Sequence, residues 1–314
     1  MHLFAFVIAF ALSACLFSPA SAAEQDLTPE QQALIAKYRA LGESLHPQRG
    51  DVAIAAANAT LHLGTQYYFL PAADAKRVLV EGWGNPSDAV DGVLGMIFTE
   101  GTGFLDDTWG AVLTYSPDGY VSDTDAKSAN YDDVLRDAQS GEADENADRK
   151  AAGLPTVHLV GWAQPPSYDA EHHALIWARE IQFGGETDNT LNYDIRTLGR
   201  RGILSVNLVS TMSKLVEVRA AANALQQVAS FDNGARYADY QPGTDATAGY
   251  GLAGLVAAGL GAAAAKKLGL LAIALVFLKK FAFVFIALFA GAAAWVRRLF
   301  GGKEKEPARD LRSS

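Results

Sequence analysis

Apolar and polar side chains alternate along residues 156–210, which is the pattern of half-buried β-strands. The alternation is clearest over residues 190–198, where Leu191, Tyr193 and Ile195 are separated by polar residues. We predict four strands in this region, and they cover residues 157–163, 172–183, 190–198 and 203–209. The connections between them are too short to hold crossover helices, so the strands should form an antiparallel meander.

The pattern outside the meander predicts helices mixed with shorter strands. Residues 28–31 (Thr-Pro-Glu-Gln) form a capping box, and they begin a predicted amphipathic helix that ends near Leu45. A helix capped by Ser122 or Asp123 is predicted to reach Ala138. The other predicted elements are helices at 72–81 and 213–228, strands at 52–63, 95–98 and 109–115, and an exposed helix or loop at 141–150. Together they predict an α+β fold, with an antiparallel meander sheet covered by helices on one face.

A sheet covered on one face would expose the polar face of the strand at residues 190–198. That face carries Asn192, Asp194 and Arg196. The apolar pattern of the neighbouring strands would place four further polar side chains beside them: Glu180, Gln182, Ser205 and Asn207. We predict a binding platform here, centred on Asn192, Asp194, Arg196, Ser205 and Asn207. Two alternatives are a plain solvated face, and a structural pairing of Asp194 and Arg196 with the loop at residues 118–125.

The N-terminus has the pattern of a secretory signal peptide. Residues 3–17 form an apolar run of signal-peptide length, and residues 20–22 (Ala-Ser-Ala) form a small-residue cleavage site. We therefore predict a signal peptide at residues 1–22 and export of the chain. A second interpretation stays open, because residues 12–15 (Leu-Ser-Ala-Cys) have the form of a lipoprotein cleavage box that would leave Cys15 lipidated.

Residues 249–298 are rich in apolar and small side chains, and we predict that they form a membrane anchor with transmembrane helical structure. The most apolar block, residues 281–296, is shorter than the about 20 residues of a simple span, so basic side chains at its edge would have to snorkel. The basic residues 299–314 predict a cytoplasmic tail. We expect one crossing, with a two-span hairpin as the alternative, and a soluble extracytoplasmic domain at residues 23–248.

Charge is distributed unevenly along the chain. The net charge is −9. From Lys266 onward there are ten basic and three acidic residues, so this end carries +7 and the preceding chain carries −16. A domain that acidic repels phosphate backbones, which excludes nucleic acid as a partner. Cys15 lies in the predicted signal, so the mature chain would have neither disulfides nor thiolate metal ligands.

The sequence contains none of the common hydrolase, metalloprotease, phosphate-loop or calcium-loop motifs. Residues 249–254 match G-x-G-x-x-G, but no strand precedes them, and small-residue helix packing explains them better. His172 and His173 should point to opposite faces of a strand, and Asp169 and Glu171 could join one of them only if the turn folds back. We predict no metal site and no cofactor.

Two other sets of residues have ordinary structural explanations. Asp118, Asp123 and Asp125 fit turns and helix caps better than a calcium site. The pair Arg200-Arg201 fits a solvated hairpin tip better than an anion site. Four tryptophans could line a groove for sugar or peptide, but aromatic residues in strands are more often core: Trp83, Trp109, Trp162 and Trp177.

Seven short strings, in this order, resemble a family of uncharacterised membrane-anchored bacterial proteins catalogued as domain of unknown function 2167. They lie at residues 66–70 (QYYFL), 83–86 (WGNP), 118–123 (DGYVSD), 130–133 (NYDD), 160–163 (VGWA), 191–196 (LNYDIR) and 198–200 (LGR). The resemblance implies a bacterial inner-membrane protein with its soluble domain in the periplasm, and it brings no catalytic residues. More loosely, the predicted meander and helix resemble the Mog1/PsbP-like sandwich, which is an analogy of fold alone.

Two functions follow as hypotheses. The first is a non-enzymatic envelope module that binds a partner protein or a cell-wall component near the membrane. The second is an envelope hydrolase that uses a pair of carboxylates, as glycoside hydrolases do. Carboxylates are abundant in this chain, and no pattern in the sequence selects a pair.

Overall fold

The computed structural model describes residues 28–85, 87–151 and 155–260. The predicted signal peptide, the anchor block at 281–296 and the tail at 299–314 lie outside these ranges. The chain divides into two compact units, residues 1–35 with 279–314, and residues 36–278. Within the first unit the structure describes residues 28–35, which contain the start of the first helix, and all that follows concerns the second.

The bounds of the elements confirm the predicted mixture of helices and strands. The helices are α1 (Pro29–Glu43), α2 (Ala72–Arg77), α3 (Tyr131–Ser140), α4 (Glu142–Ala151), α5 (Leu215–Leu225) and α6 (Leu252–Leu260). The strands are β1 (Asp51–Ile54), β2 (Ala59–His62), β3 (Tyr67–Pro71), β4 (Val93–Thr99), β5 (Gly110–Ser116), β6 (Tyr120–Ser122), β7 (Val157–Asp169), β8 (Ala174–Phe183), β9 (Thr190–Leu198), β10 (Ile203–Thr211), β11 (Ala229–Phe231) and β12 (Thr247–Gly251). Short 3-10 turns cover Ala55–Ala57, Ser87–Val90, Met212–Lys214 and Tyr237–Asp239, and a π-helical turn covers Val78–Gly82.

The centre of the fold is a seven-stranded sheet with the order β3-β4-β5-β10-β9-β8-β7. All of its neighbouring strands run antiparallel. The predicted four-strand meander is confirmed as β7 to β10, and the α+β class is confirmed with it. Apolar runs in β4 and β5 fit the position of these strands inside the sheet, where both faces are covered.

A small three-stranded sheet and helix α5 cover one face of the large sheet. The small sheet has the order β1-β2-β11. Its Leu61 and Phe231 share one apolar core with Val218 and Leu225 of α5 and with Tyr193 of β9. The single strand predicted at residues 52–63 is instead a hairpin. Its two strands are joined at Asn58, which has a left-handed backbone (φ 49°) that asparagine tolerates better than most residues.

Helices α3 and α6 cover the opposite face, so the prediction that helices lie on one face is wrong. Leu252, Leu255 and Val256 of α6 share a second apolar core with Trp177 of β8. The residues that begin the predicted anchor region at 249–298 thus pack against the sheet as far as Leu260. Within the described residues, no helix is long and apolar enough to cross a membrane.

Helix α3 begins later than predicted, and its cap explains why. The side-chain oxygen of Asn130 accepts a hydrogen bond from the backbone N–H of Asp133, which fixes the first turn at Tyr131. The predicted caps, Ser122 and Asp123, lie instead at the end of β6 and just beyond it.

Side chains of α3 and α4 occupy the outer edge of β7, which is the last strand of the sheet. The Asn146 amide donates to the carbonyl of Val157 and accepts from its N–H, both at 2.7 Å. Glu142 accepts from the N–H of Leu159 at 2.7 Å, and Gln139 donates to the carbonyl of Leu159 at 2.9 Å. These three side chains substitute for a neighbouring strand and block the edge against pairing with another chain.

Asn146→Ala should remove the side chain that bonds the backbone of Val157 at the outer edge of β7. We expect a loss of about 1–3 kcal/mol in the free energy of unfolding, because the N–H and carbonyl of Val157 lose their partners. Hydrogen exchange should show faster exchange at the Val157 amide. Asn223→Ala on the exposed side of α5 is the matched control and should change neither quantity. Unchanged protection at Val157 in the Asn146 variant would contradict the edge assignment.

Candidate functional site: a buried polar layer and a tyrosine-rich end

The five residues of the predicted binding platform lie side by side, as expected from their strands. Ser205 pairs with Arg196, and Asn207 pairs with Asp194, across β9 and β10. However, all five, including Asn192, are buried, with at most 6% of each residue exposed. The prediction of a solvated platform is therefore wrong about exposure, because α6 packs over this face.

The β8 neighbours of these residues also differ from the prediction. The register places Trp177 opposite Asp194 and Arg179 opposite Asn192. Glu180 pairs with Leu191, so it lies on the other face of the sheet, as does Gln182 by the alternation of the strand. We call the buried set Trp177, Arg179, Asn192, Asp194, Arg196, Ser205 and Asn207 the polar layer.

One aspartate bridges two arginines in the polar layer. Asp194 Oδ2 accepts from Arg179 Nη2 at 3.2 Å, and Oδ1 accepts from Arg196 Nη2 at 3.0 Å. Arg196 Nη1 donates to Ser205 at 2.9 Å, and its guanidinium lies 5.4 Å from the centre of the Trp177 ring. Burial lowers the pKa of Arg179, while Asp194 acts in the opposite direction. Arginine stays protonated in proteins, so the three side chains together carry a charge of +1.

Two charged side chains hold α6 in place, one at its start and one near Gly259. Asp125 accepts from the N–H groups of Leu252 and Ala253, at 2.9 and 3.1 Å. Near the other end, Arg179 Nη1 donates to the carbonyl of Gly259 at 2.9 Å. An anion at the N-terminus and a cation at the C-terminus both match the helix dipole. Gly259 also permits close packing, since a Cβ there would lie 2.7 Å from the Trp177 ring.

A column of aromatic rings lies at the end of the sheet where α6 begins. Tyr120 stacks on Tyr237 with ring centres 4.6 Å apart, and on Tyr240 with ring centres 3.8 Å apart. The imidazole of His173 lies 4.4 Å from the centre of the Tyr237 ring. Tyr237 is buried, whereas Tyr120, Tyr240 and His173 are partly exposed. The column therefore reaches the surface through tyrosine and histidine side chains.

Hydrogen bonds fix the polar side of this column. Tyr168 donates its hydroxyl proton to Asp123 at 2.8 Å and lies 3.1 Å from Nδ1 of His173. Because that proton is used, His173 Nδ1–H must be the donor to the phenol, and Nε2 of a neutral imidazole is then an acceptor. Tyr237 donates to the carbonyl of Val121 at 2.9 Å. We call Tyr120, Asp123, Tyr168, His173, Tyr237 and Tyr240 the tyrosine end.

Tyr168 and Tyr237 keep their hydroxyl protons at neutral pH, because their pKa values are raised. Burial raises the pKa of Tyr168, and the hydrogen bond to Asp123 raises it further. Burial likewise raises the pKa of Tyr237, with a further contribution from Tyr120. His173 has a left-handed backbone (φ 48°), which is uncommon for a residue other than glycine. The β7–β8 turn thus holds this imidazole in a defined position.

Arg200 forms an ion pair with the adjacent loop and is not the solvated hairpin tip that was predicted. Its Nε and Nη2 donate to Asp245 at 2.7 and 3.0 Å, and only 12% of its side chain is exposed. Arg201 also reaches Asp245 but is 66% exposed. The bond from Arg200 chiefly lowers the pKa of Asp245, to about 2. This pair fixes the loop that leads from the tyrosine end into β12.

The two neighbouring histidines bind separate partners. His172 Nδ1 lies 2.7 Å from Asp169, whereas His173 contacts Tyr168. The hydrogen bond to Asp169 raises the pKa of His172. In the part of the chain that the structure describes, no group of three or more His, Cys, Asp or Glu side chains could hold a metal ion. The geometry therefore offers no support for a metal at this turn.

The family described as protein of unknown function (DUF2167) matches residues 46–290. The chain belongs to this family. The match covers the whole large sheet, the polar layer and the tyrosine end, and it confirms the resemblance drawn from the seven short strings.

The other comparisons add little. No curated protein matches the chain. Among solved structures, the chain is similar to the solution structure of cyanobacterial PsbP (CyanoP) from Synechocystis sp. PCC 6803, with 9% sequence identity. The match covers 59% of this chain and 92% of that chain, with a TM-score of 0.33. At that TM-score we draw no conclusion from it.

The sequence patterns did not reveal the tyrosine end. Its residues come from β6, β7, the β7–β8 turn and the turn that follows β11, so they are far apart along the chain. The one available signal was the string at residues 118–123, which holds Tyr120 and Asp123 and carries part of the family resemblance. Tyr168, Tyr237 and Tyr240 had no distinguishing pattern of their own.

Asp245→Asn tests the ion pair between Arg200 and Asp245. Asp245 has a lower pKa when folded than the about 3.9 of an unfolded aspartate, so its contribution is present above that value and is lost as the pH falls through about 2. At pH 7 the variant should melt at least about 3 °C lower than the wild type. The difference should shrink between about pH 4 and pH 2. Asp188→Asn, at an exposed position, is the control. A difference that stays constant with pH would rule out the ion pair as its cause.

Proposed function

We propose that this protein is an exported, membrane-anchored binding module without enzymatic activity. It is held in the bacterial inner membrane, and its domain in the periplasm recognises an envelope protein or a cell-wall component. The observation that carries the proposal is the tyrosine end, where an ordered column of aromatic rings reaches the surface beside fixed hydrogen-bonding groups.

Tyrosine is suited to this role. Its ring offers a large contact area at low conformational cost, and its hydroxyl offers a hydrogen bond, so tyrosines are frequent among the residues that dominate binding energies. At the tyrosine end, Tyr120 is held between two other rings, so little rotamer entropy remains to be lost on binding. Tyr240 is the partly exposed last ring of the column, and we place the principal contact there.

The direction of α6 favours recognition at this end. The helix begins at Leu252, which Asp125 holds near the tyrosine end, and its described part reaches Leu260, about 13 Å further along. Chain that continues towards an anchor at residues 281–296 would leave from the end of the helix. The tyrosine end thus lies beside the start of α6, and not beside the residues from which the chain continues towards the predicted anchor, which supports recognition at this end.

The carboxylates near the tyrosine end do not favour the hydrolase. Asp118 accepts from the hydroxyl of Tyr250, Asp123 from Tyr168, and Asp125 from α6. Asp245 is held by two arginines. Since each of these four carboxylates has a structural partner, no specific observation selects an acid and a base.

Tyr240→Ala should reduce recognition without unfolding the domain. We expect at least a tenfold loss of binding to isolated cell-wall sacculi or of crosslinking to an envelope protein in cells, because the exposed ring of the column is removed. The melting temperature should fall by less than about 4 °C, since the ring is only partly buried.

The matched control is Val216→Ala on α5, which packs against the other face of the large sheet; Val216 is 81% exposed. It should bind as the wild type does. If both variants bind equally, recognition does not use the tyrosine end. If purified chain splits a glycan or peptide of the cell wall, the non-enzymatic assignment is wrong.

Topology is tested with a reporter enzyme that is active only in the cytoplasm. Fused after Ser314, it should be active, and fused after Leu260, it should be inactive, because the +7 end should stay in the cytoplasm while the folded domain is exported. Leu260 is the appropriate junction, since a fusion further upstream would remove α6 from the sheet. Activity at both junctions would exclude export, and activity at neither would exclude a single crossing.

A further inference from the structure

We infer that the polar layer beneath α6 is a binding site for one small monovalent anion, such as chloride or nitrate. This site is separate from the tyrosine end, and it rests on hydrogen-bond donors and charge within the layer. It would serve the fold and the position of α6, whatever partner the domain recognises.

Three buried donors of the layer have no acceptor among the residues that the structure describes. They are the Nε of Arg179, the Nε of Arg196 and the indole N–H of Trp177. Arg179 and Arg196 are 5% and 6% exposed, and Trp177 is fully buried. Leaving a buried donor unpaired is costly, and charged donors cost the most. Three such donors in one patch therefore point to an acceptor that is not a protein group.

The strand register places these donors together. Trp177 and Arg179 are two residues apart on the same side of β8. On β9, Asp194 lies opposite Trp177, and Arg196 lies opposite Leu175, which places it diagonal to Trp177. Neighbouring side chains on one face of a sheet lie about 5–8 Å apart, and long side chains reach across that distance. Arg196 already lies over the Trp177 ring, and both guanidiniums meet at Asp194. One small ligand can thus face all three.

Charge selects an anion and its valence. Two arginines and one aspartate leave the layer with +1, and a buried net charge without a counter-charge is strongly unfavourable. Water could satisfy the three donors but would leave the charge. A single monovalent anion supplies both the acceptor and the missing charge, whereas a divalent anion would invert the imbalance.

Packing limits the size of the ligand. Gly259 sits so close to the Trp177 ring that even a methyl group would collide, and Arg179 bonds the carbonyl of the same glycine. The layer is thus closed by α6 on this side. An ion of one to four atoms suits such a site, and its binding should hold both arginines in the orientation that keeps α6 docked.

The test measures the melting temperature of the full chain in non-ionic detergent at fixed ionic strength. Sodium gluconate, whose anion is too large, is replaced stepwise by sodium chloride or sodium nitrate. The wild type should show a saturable rise of several degrees, as expected for a ligand that binds the folded state alone. A rise that is absent, or linear in salt, would overturn the proposal and leave water as the partner of the donors.

Two variants locate the site. Trp177→Phe keeps an aromatic ring, although a smaller one, and removes one donor, and it should raise the half-saturating chloride concentration at least fivefold. Arg179→Gln makes the layer neutral and should abolish the saturable rise. Arg136→Gln is the matched control, because Arg136 is exposed on α3, and it should respond as the wild type does. Wild-type responses from both layer variants would place the anion elsewhere.

A crystal grown in bromide keeps the inference testable if Arg179→Gln fails to fold. An anomalous peak within hydrogen-bonding distance of Arg179, Arg196 and Trp177 would support the site. Bromide peaks at surface positions alone would overturn it.

Discussion

The architecture depends on the attachment of α6 to the large sheet. Asp125 bonds the first N–H groups of this helix and Arg179 bonds a carbonyl near its last turn, so each end meets a group of opposite sign to its dipole. Between these two contacts, Leu255 and Val256 bury apolar surface in the second core. A nine-residue helix would be marginal alone. Here two charged contacts fix its position, and it closes a face that would otherwise be wet.

Because α6 covers that face, the polar side chains of the layer are buried. Once α6 covers β8 and β9, the polar side chains there cannot reach bulk water, and each needs a hydrogen-bond partner within the layer. Asp194 does so for two arginines at once, and Arg196 also reaches Ser205. Apolar side chains of the same volume could pack here at no loss of stability, since buried ion pairs seldom exceed apolar packing in net energy. Arg179 also donates to the Gly259 carbonyl, and this hydrogen bond would be lost if α6 shifted along its axis.

Local patterns predicted the strands and most helices, but the environment of their side chains depended on distant contacts. The alternation of residues 190–198 placed β9 and its neighbours correctly, because strand period is a local property. It could not reveal that residues 252–260 would cover the polar face, so Asn192, Asp194 and Arg196 were expected in water. The same Gly- and Ala-rich stretch suited both a membrane helix and a packed surface helix. The two faces of β8 were assigned the wrong way round, because the charged residue Arg179 is buried beneath α6.

The tyrosine end and the polar layer are connected through a single segment of chain. Arg200 binds Asp245, and the chain then continues through β12 into α6. Asp125 binds the first turn of α6, and the helix crosses the polar layer as far as Gly259. The start of α6 thus contacts the segment that holds the tyrosine end, and Gly259 contacts the polar layer.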